Sequence, residues 1–517
     1  MNRLVEQLPT AFNIAAHFIE DNISQEHSDK VAFYHQSEEY TYAQVKQLVQ
    51  FAAGYFSELG LELEDRIAIL LPDTLEFVVA FWSAIWLGAV PVPINTGCTI
   101  GDIHYILQDS RAKILLTTRT WQEQLMPISS PFLRHVLLMD EEPRFLSRLS
   151  DFSPVQTPTQ TSRDEPAFWL YTSGSTGRPK GVIHLHSSMV VCAERYSKAI
   201  LGLNANDIVY SVARMPFAYG LGNTLYMPTA VRASAVLADA QSAFEIIADI
   251  HRHRPTVLFG IPSVYAEILA VQEIAPLDVS SLRLCISAAE QLPKTIWHKW
   301  KEQYSLEIYE GIGTTELLHI FLSNTSGACR PGSSGRPVPG YDVQVVDEHG
   351  IPVAPGKIGD LQVSGESLML GYWNRLKETR QTLYGEIIKT GDKYLVDNDG
   401  YFWFIGRKDD FFKVNGMWVS PFEIEDVLLQ HDDVLDAAIV PDSRHGEQLV
   451  QIIAFLSLKP GVERSPHLTS TLRQWAKSRL PHFKAPKQIH ILDTLPRTPT
   501  GKIHRQSLLR ERIGNSP

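Results

Sequence analysis

Between Tyr171 and Gly181 the chain reads Tyr-Thr-Ser-Gly-Ser-Thr-Gly-Arg-Pro-Lys-Gly. Glycines let a backbone approach a ligand closely, and consecutive N–H groups can converge on an anion. The hydroxyls of Thr172, Ser173, Ser175 and Thr176 can donate to phosphate oxygens, and Lys180 can neutralise charge. With Gly174 and Gly177, these residues read as a loop that holds the polyphosphate of a nucleotide; the alternative is a surface turn. A Walker A loop needs Gly-Lys-Ser/Thr, and here Pro179 precedes Lys180 and Gly181 follows it.

Four further stretches could carry chemistry. Gly313-Thr314-Thr315-Glu316 puts two hydroxyls and a carboxylate after a glycine turn, which suits magnesium and phosphate because Mg²⁺ takes few protein carboxylates and keeps substrate phosphates. It could equally be a turn with an N-capping threonine. Thr390-Gly391-Asp392 offers a carboxylate that can accept from ribose hydroxyls. Gly406-Arg407-Lys408-Asp409-Asp410 is a charged segment at a change of pattern. Pro499-Thr500-Gly501-Lys502-Ile503 presents a lysine in a proline- and glycine-marked loop, which by itself reads as a solvated surface charge.

These stretches sit in a chain of 517 residues, 44% apolar and 20% charged, which leaves room for a large core and more than one domain. A formal charge of −11 argues against nucleic acid as a partner. Cys98, Cys192, Cys285 and Cys329 form no metal-type spacing and read as reduced, cytoplasmic thiols. No signal peptide is expected from the N-terminus, and no apolar run spans a membrane. Thr41 and Gln44 form a capping box for a helix to about Leu59. Expected strands at 66–71, 90–94 and 112–117 alternate with helices at 74–87 and 100–108. That alternation means βαβ units and a parallel sheet.

The segment 141–165 reads as a loop between two subdomains. After the phosphate loop the expected elements are a helix at 187–199, a strand at 208–212, a glycine-punctuated turn at 215–222, a helix at 243–253, a strand at 256–259, a helix at 262–271, a strand at 282–287 and a helix at 295–304. Residues 307–310 are expected to enter a loop. From Gly340 short alternating strands point to a small β-barrel or meander. The fold class is therefore α/β: a large N-terminal domain (1–407) of two parallel α/β subdomains plus the small β-barrel, and a small mobile α+β C-terminal domain (408–517).

Taken together, the motifs resemble those of the adenylate-forming superfamily of acyl- and aryl-CoA ligases, peptide-synthetase adenylation domains and firefly luciferase. The resemblance covers nearly the whole chain and is closest to the benzoate-CoA ligases. It rests on Phe217-Ala218-Tyr219-Gly220-Leu221-Gly222-Asn223, on 311–321 and on Val419-Ser420-Pro421. The resemblance implies Mg-ATP-dependent activation of benzoate or a related aryl acid to aryl-AMP, then transfer to CoA. An alternative is a stand-alone enzyme that loads the aryl group onto a carrier protein. A catalytically dead acid-binding protein is a second alternative, against which Lys502 and Glu316 speak.

The same resemblance assigns roles. Lys502, Thr315, Glu316 and Lys180 are catalytic, and Glu316 and Thr172 hold the metal. Residues Thr172 to Gly177, Ser287, Ala288, Ala289, Glu290, Glu310, Gly311, Ile312, Gly313, Thr314, Asp392 and Arg407 bind ATP or AMP. Phe217, Ala218, Tyr219, Gly220, Gly260, Gly313, His319 and Ile320 form the acid site. Lys413, Gly416, Trp418 and Lys484 serve the thiol acceptor, and Lys408 and Asp409 the hinge. Two departures from the superfamily pattern, the lack of histidine near Phe217 and Ile312 in place of an adenine-stacking tyrosine, also occur in the benzoate subfamily.

Overall fold

The structure is a computed structural model that describes residues 3–508 apart from 25–26, 143, 173–177, 408–411, 415–416, 443–449, 460, 498–502 and 506. Among the described residues the largest sheet has nine strands. Its middle is six parallel strands in the order Ile308–Gly313, Leu284–Ser287, Val257–Gly260, Ile208–Ser211, Ser234–Leu237 and Val31–His35. Antiparallel strands close both sides, Ile320–Ser323 with Arg336–Pro337 on one and Glu38–Thr41 on the other. A second sheet is wholly parallel: Val90–Pro93, Arg66–Ile69, Ile114–Thr117 and His135–Leu138. Helix Tyr42–Glu58 starts at the expected capping box, with Thr41 Oγ1 accepting from the Gln44 N–H and Gln44 Oε1 from the Thr41 N–H.

The barrel-or-meander region is an antiparallel sheet of Asp342–Val346, Gly359–Ser364, Ile387–Val396, Leu383–Tyr384 and Phe402–Arg407. Beyond it, Val434–Asp442, Gln451–Leu458 and Gln488–Leu492 form a sheet covered by helices Pro421–Leu429 and Pro466–Arg479. This C-terminal body has its own apolar core, centred on Val419, Ile424, Leu428, Ile439 and Leu472. Among the described residues no helix is long and apolar enough to cross a membrane.

Three local readings are corrected. The expected turn at 215–222 becomes helical from Ala218, runs on as a π-helix over Gly222–Tyr226 and ends as Met227–Ala230. Its glycines permit close packing rather than a turn: a Cβ on Gly220 would lie 2.1 Å from the Arg214 carbonyl oxygen. The expected helix at 187–199 is α-helical over His186–Cys192 and π-helical over Ala193–Lys198. Residues 307–310 do not enter a loop, because Ile308–Gly313 is a continuous strand with partners on both sides.

Candidate active site

In an open parallel sheet, ligands bind outside the carboxyl ends of the strands. Four neighbouring strands here deliver candidate residues at that edge. Ile208–Ser211 leads to Phe217–Gly222, Val257–Gly260 ends in Gly260, Leu284–Ser287 leads to Ala288–Glu290, and Ile308–Gly313 leads to Thr314–Glu316.

Strands Pro166–Thr172 and Lys180–Leu185 pair antiparallel, with Thr172 opposite Lys180. The intervening loop is therefore closed as a β-hairpin, whereas a Walker A loop opens a helix. Residues Ser173 to Gly177 lie outside the described residues. A third short strand, Gly371–Tyr372, pairs with the far side of Lys180–Leu185. It was not singled out from sequence, although it closes the nucleotide side. Lys180 Nζ lies 4.7 Å from the centroid of the Tyr372 ring, and the Tyr372 hydroxyl donates to Glu316 Oε1 at 2.6 Å. The Met369 N–H donates to the Glu316 carbonyl at 2.8 Å, Leu370 N–H to Ile183 at 2.9 Å and Trp373 N–H to Gly181 at 2.8 Å. His184, from the same hairpin, contacts the Thr315 carbonyl through Nε2 at 2.7 Å. Burial depresses its pKa to about 4, so the ring is neutral near pH 7 and Nε2–H is the donor.

The turn after Ile308–Gly313 is tight. Thr314 Oγ1 caps the short 3₁₀ segment Thr315–Leu317 by accepting from the Leu317 N–H. Leu318 takes φ +67°, and the His319 N–H donates back to the Leu317 carbonyl at 2.8 Å. Glu316 and His319 thus leave opposite ends of one turn. A divalent cation favours oxygen donors and can take one carboxylate plus phosphates. Glu316 fits that demand: Tyr372 holds one of its oxygens, and among the described residues no cationic group pairs with it. No cluster of three or more His, Cys, Asp or Glu exists among them to form an all-protein cage.

On the other side of the turn His319 is buried among the rings of Tyr196, Tyr219 and Tyr226, at centroid distances of 5.3, 5.7 and 6.5 Å. Asn223 Nδ2 donates to Ser211, which leaves its Oδ1 to accept from His319 Nε2–H at 3.2 Å. Desolvation pushes the His319 pKa down to about 3, so this aromatic cluster presents no charge. Gly222 lies close against the ring, since a Cβ there would sit 2.4 Å from His319 Cδ2. Phe217, Ala218 and Tyr219 remain half-buried, and Tyr219 donates to the Gly260 carbonyl at 3.3 Å. Ile320 is buried on the strand behind.

On the nucleotide side Ser287 and Ala288 are buried, Ala289 is exposed at φ +74°, and Gly311 and Ile312 belong to strand Ile308–Gly313. The Glu310 carboxyl is interior, where it accepts the Leu292 N–H at 3.2 Å, and burial raises its pKa well above the usual carboxylate range. Asp392 is buried, lies opposite Arg407 in the sheet and accepts from its Nε at 3.2 Å. The Glu290 carboxylate meets the C-terminal body. It accepts from Arg497 at 3.4 Å and from the Ile503 N–H at 3.2 Å.

Lys502, Lys408, Asp409 and Gly416 fall outside the described residues. Lys413 and Trp418 are register partners in the hairpin Phe412–Val414 and Met417–Val419. Lys484 ion-pairs with Glu423 at 2.5 Å within its own body. Tyr372, His184, Arg497 and Asn223 were not assigned roles from sequence. Of these, Asn223 carried a local signal as the last residue of the Phe217–Asn223 segment, and His184 by lying on the strand that follows the loop.

Residues 19–373 match the family model described as AMP-binding enzyme, and residues 423–502 match the AMP-binding enzyme C-terminal domain. The chain is 38% identical over 515 residues to a benzoate–CoA ligase of Thauera aromatica, covering 97% of this chain and 96% of that one. Among solved structures it is similar to the anthranilate CoA ligase AuaEII in complex with anthranoyl-AMP. That match has a TM-score of 0.93 and 35% identity, and covers 99% of each chain. It is also similar to a benzoate CoA ligase from Burkholderia xenovorans LB400, with a TM-score of 0.88, 38% identity and 96% and 99% covered.

Proposed function

Because the chain belongs to the AMP-binding enzyme family, we propose that it is an AMP-forming acid–thiol ligase that converts benzoate or a close aryl acid to its CoA thioester. The observation that carries this reading is the shared turn. An uncharged cluster of tyrosine rings encloses His319, and three residues away Glu316 is held by Tyr372, from the strand that pairs with the phosphate hairpin. An aryl ring entering the acid site must leave its carboxylate at the mouth, beside Thr315. Burying a ring of about 150 Å² is favourable by roughly 4 kcal/mol, and one misplaced methylene changes that by about 1–3 kcal/mol.

In the first half-reaction a carboxylate oxygen bonds to the α-phosphorus of ATP and the bond to the bridging oxygen breaks, releasing pyrophosphate. The hairpin 172–180 and Lys180 grip the phosphates, and Thr315 holds the α-phosphate. Asp392, steadied by Arg407, accepts from the ribose hydroxyls, and Ser287–Ala288 with Gly311–Ile312 flank the base. Glu316 and Thr172 would hold Mg²⁺, which when bound neutralises phosphate charge. Lys502 bridges the carboxylate and the α-phosphate as charge builds.

The two halves need different groups at one acyl carbon, so residues 408–517 form a separate domain that turns about Asp409. In the second half-reaction the CoA sulfur bonds to the acyl carbon, the bond to AMP breaks and the thiol proton goes to solvent. The Gly416 backbone lines the pantetheine path, flanked by Lys413 and Trp418, and Lys484 reaches the CoA phosphates. The four cysteines are free, which suits a reducing cytoplasm.

The test is mass spectrometry of products from purified protein, Mg-ATP, CoA and a panel of aryl and short alkyl acids. Benzoyl-CoA or a substituted benzoyl-CoA is expected. Pyrophosphate release without any acyl-CoA would overturn the assignment of CoA as acceptor.

A further inference from the structure

Glu290 stands at the carboxyl end of strand Leu284–Ser287, where a nucleotide contact was expected. Its carboxylate is occupied by the C-terminal body. Both bonds come from residues that bracket 498–502, the segment containing Lys502. Arg497 lies on one side, with its guanidinium 3.4 Å from Oε2, and Ile503 on the other, with its N–H 3.2 Å from Oε1. Arg497 and Ile503 also pair as an antiparallel bridge, and the His504 N–H donates to the Pro496 carbonyl at 2.7 Å. The two ends of the segment are thus tied to each other and to a single carboxylate on the opposite body.

Arg497 has a second acidic partner of a different kind. Its other guanidinium nitrogen ion-pairs with Asp436, which belongs to strand Val434–Asp442 of the same C-terminal sheet as Gln488–Leu492. Glu267, on helix Pro262–Val271 of the large body, also lies within its electrostatic reach. When the C-terminal body turns away, the Arg497 bond to Glu290 and the Ile503 bond to Glu290 must both break. The Arg497–Asp436 pair travels with the body. The guanidinium therefore never becomes an unpaired, partly buried charge, which would oppose the motion strongly.

From this geometry we infer that Arg497 is a positioning residue for the adenylation half-reaction, with Glu290 as its receptor: together they seat the Lys502 segment while aryl-AMP forms and release it for thioester formation. The inference rests on the ligase reading above and gives the Glu290 carboxylate to the domain contact.

The two half-reactions are measured separately on the full-length protein with benzoate as the acid. Adenylation is followed as pyrophosphate release without CoA. Transfer is followed as benzoyl-CoA formation from supplied benzoyl-AMP. Arg497→Gln and Glu290→Gln are each expected to lower kcat for adenylation about ten-fold, the size of one or two lost charge-assisted hydrogen bonds. ATP KM is expected to stay unchanged, and transfer to stay within about two-fold. The double variant should lose less than the two single losses combined, because both remove the Arg497–Glu290 contact. Equal loss in both half-reactions would overturn the inference and leave a merely structural role. A raised ATP KM with kcat intact in Glu290→Gln would also overturn it and return Glu290 to the nucleotide. If the wild-type protein released no pyrophosphate with any acid, the ligase reading itself would fall, and the half-reaction role with it.

Discussion

The proposed acid site around His319 and the contact between Glu290 and Arg497 lie at the ends of adjacent strands, Val257–Gly260 and Leu284–Ser287, yet they are made of opposite materials. The acid site is aromatic and uncharged and packed to contact, with Gly222 against the His319 ring and Tyr219 bonded to Gly260. The contact is a half-buried set of acids around one guanidinium; Glu290 and Arg497 retain side-chain exposures of 25% and 27%. A site that selects by shape needs walls that stay put, and close-packed rings supply them. A contact that must be made and broken in each cycle is better built from polar groups, because water replaces them on separation. An apolar contact of the same size would lose about 25 cal/mol for every Å² re-exposed.

The sharpest way to break this division is Lys502→Ala. It should lower aryl-AMP formation by about 10²–10³-fold, the size of one removed electrostatic stabiliser, while transfer from supplied aryl-AMP continues. Equal loss of both halves would mean that the two regions do not divide the labour.

Gly222→Ala tests the rigid side. The added methyl would force the His319 ring to shift, so a destabilisation of about 1–3 kcal/mol by denaturant titration and a raised KM for benzoate are expected. A neutral result would show that the acid site yields.

Protonation probes the packing of the phosphate hairpin on the Thr315 turn. The folded pKa of His184, about 4, lies below the unfolded value near 6.5. The unfolded chain therefore binds the proton first, and the stability that the neutral ring contributes is present above pH 6.5 and lost as pH falls toward 4. The loss is about 2 kcal/mol between pH 7 and 5. His184→Gln keeps a donor for Thr315 but removes the titration, so denaturation midpoints of variant and wild type should diverge by that amount across the interval. Parallel pH profiles would contradict the buried, neutral assignment.

Smaller effects belong to the partners of the chemistry. Tyr372→Phe removes one hydrogen bond to Glu316, worth about 1 kcal/mol, and should raise the Mg²⁺ concentration for half-maximal pyrophosphate release several-fold. Lys484→Ala on the detachable body should raise KM for CoA by about two- to three-fold without touching adenylation, in keeping with a partly exposed charge. An effect on adenylation instead would place Lys484 on the wrong side of the comparison.

The parts legible in the sequence were those fixed by neighbours along the chain. Alternating apolar runs revealed the two parallel sheets, and the Thr41–Gln44 box marked its helix. The hairpin loop and the turn at Thr315–Glu316 announced themselves by glycines, hydroxyls and charge. Contacts between distant residues were not legible. Nothing near Tyr372 says that its hydroxyl reaches Glu316, and Glu290 and Arg497 meet across 207 positions. The helix after Phe217 was misread because glycine in sequence signals a turn, whereas here its missing side chain admits the Arg214 carbonyl.

The turn that carries Glu316 at one end and His319 at the other also bears on how the protein tells acids apart. Its hydrogen bonds run from Thr314 to His319 with no slack residue, and Leu318 holds a left-handed backbone in the middle. Under the proposed function, an oversized acid would press on His319, and the turn would pass that displacement to Thr315 and Glu316. Discrimination would then fall on turnover as well as on occupancy. Enlarging the acid site to accept a bulkier ring would require retuning the phosphate grip in the same step.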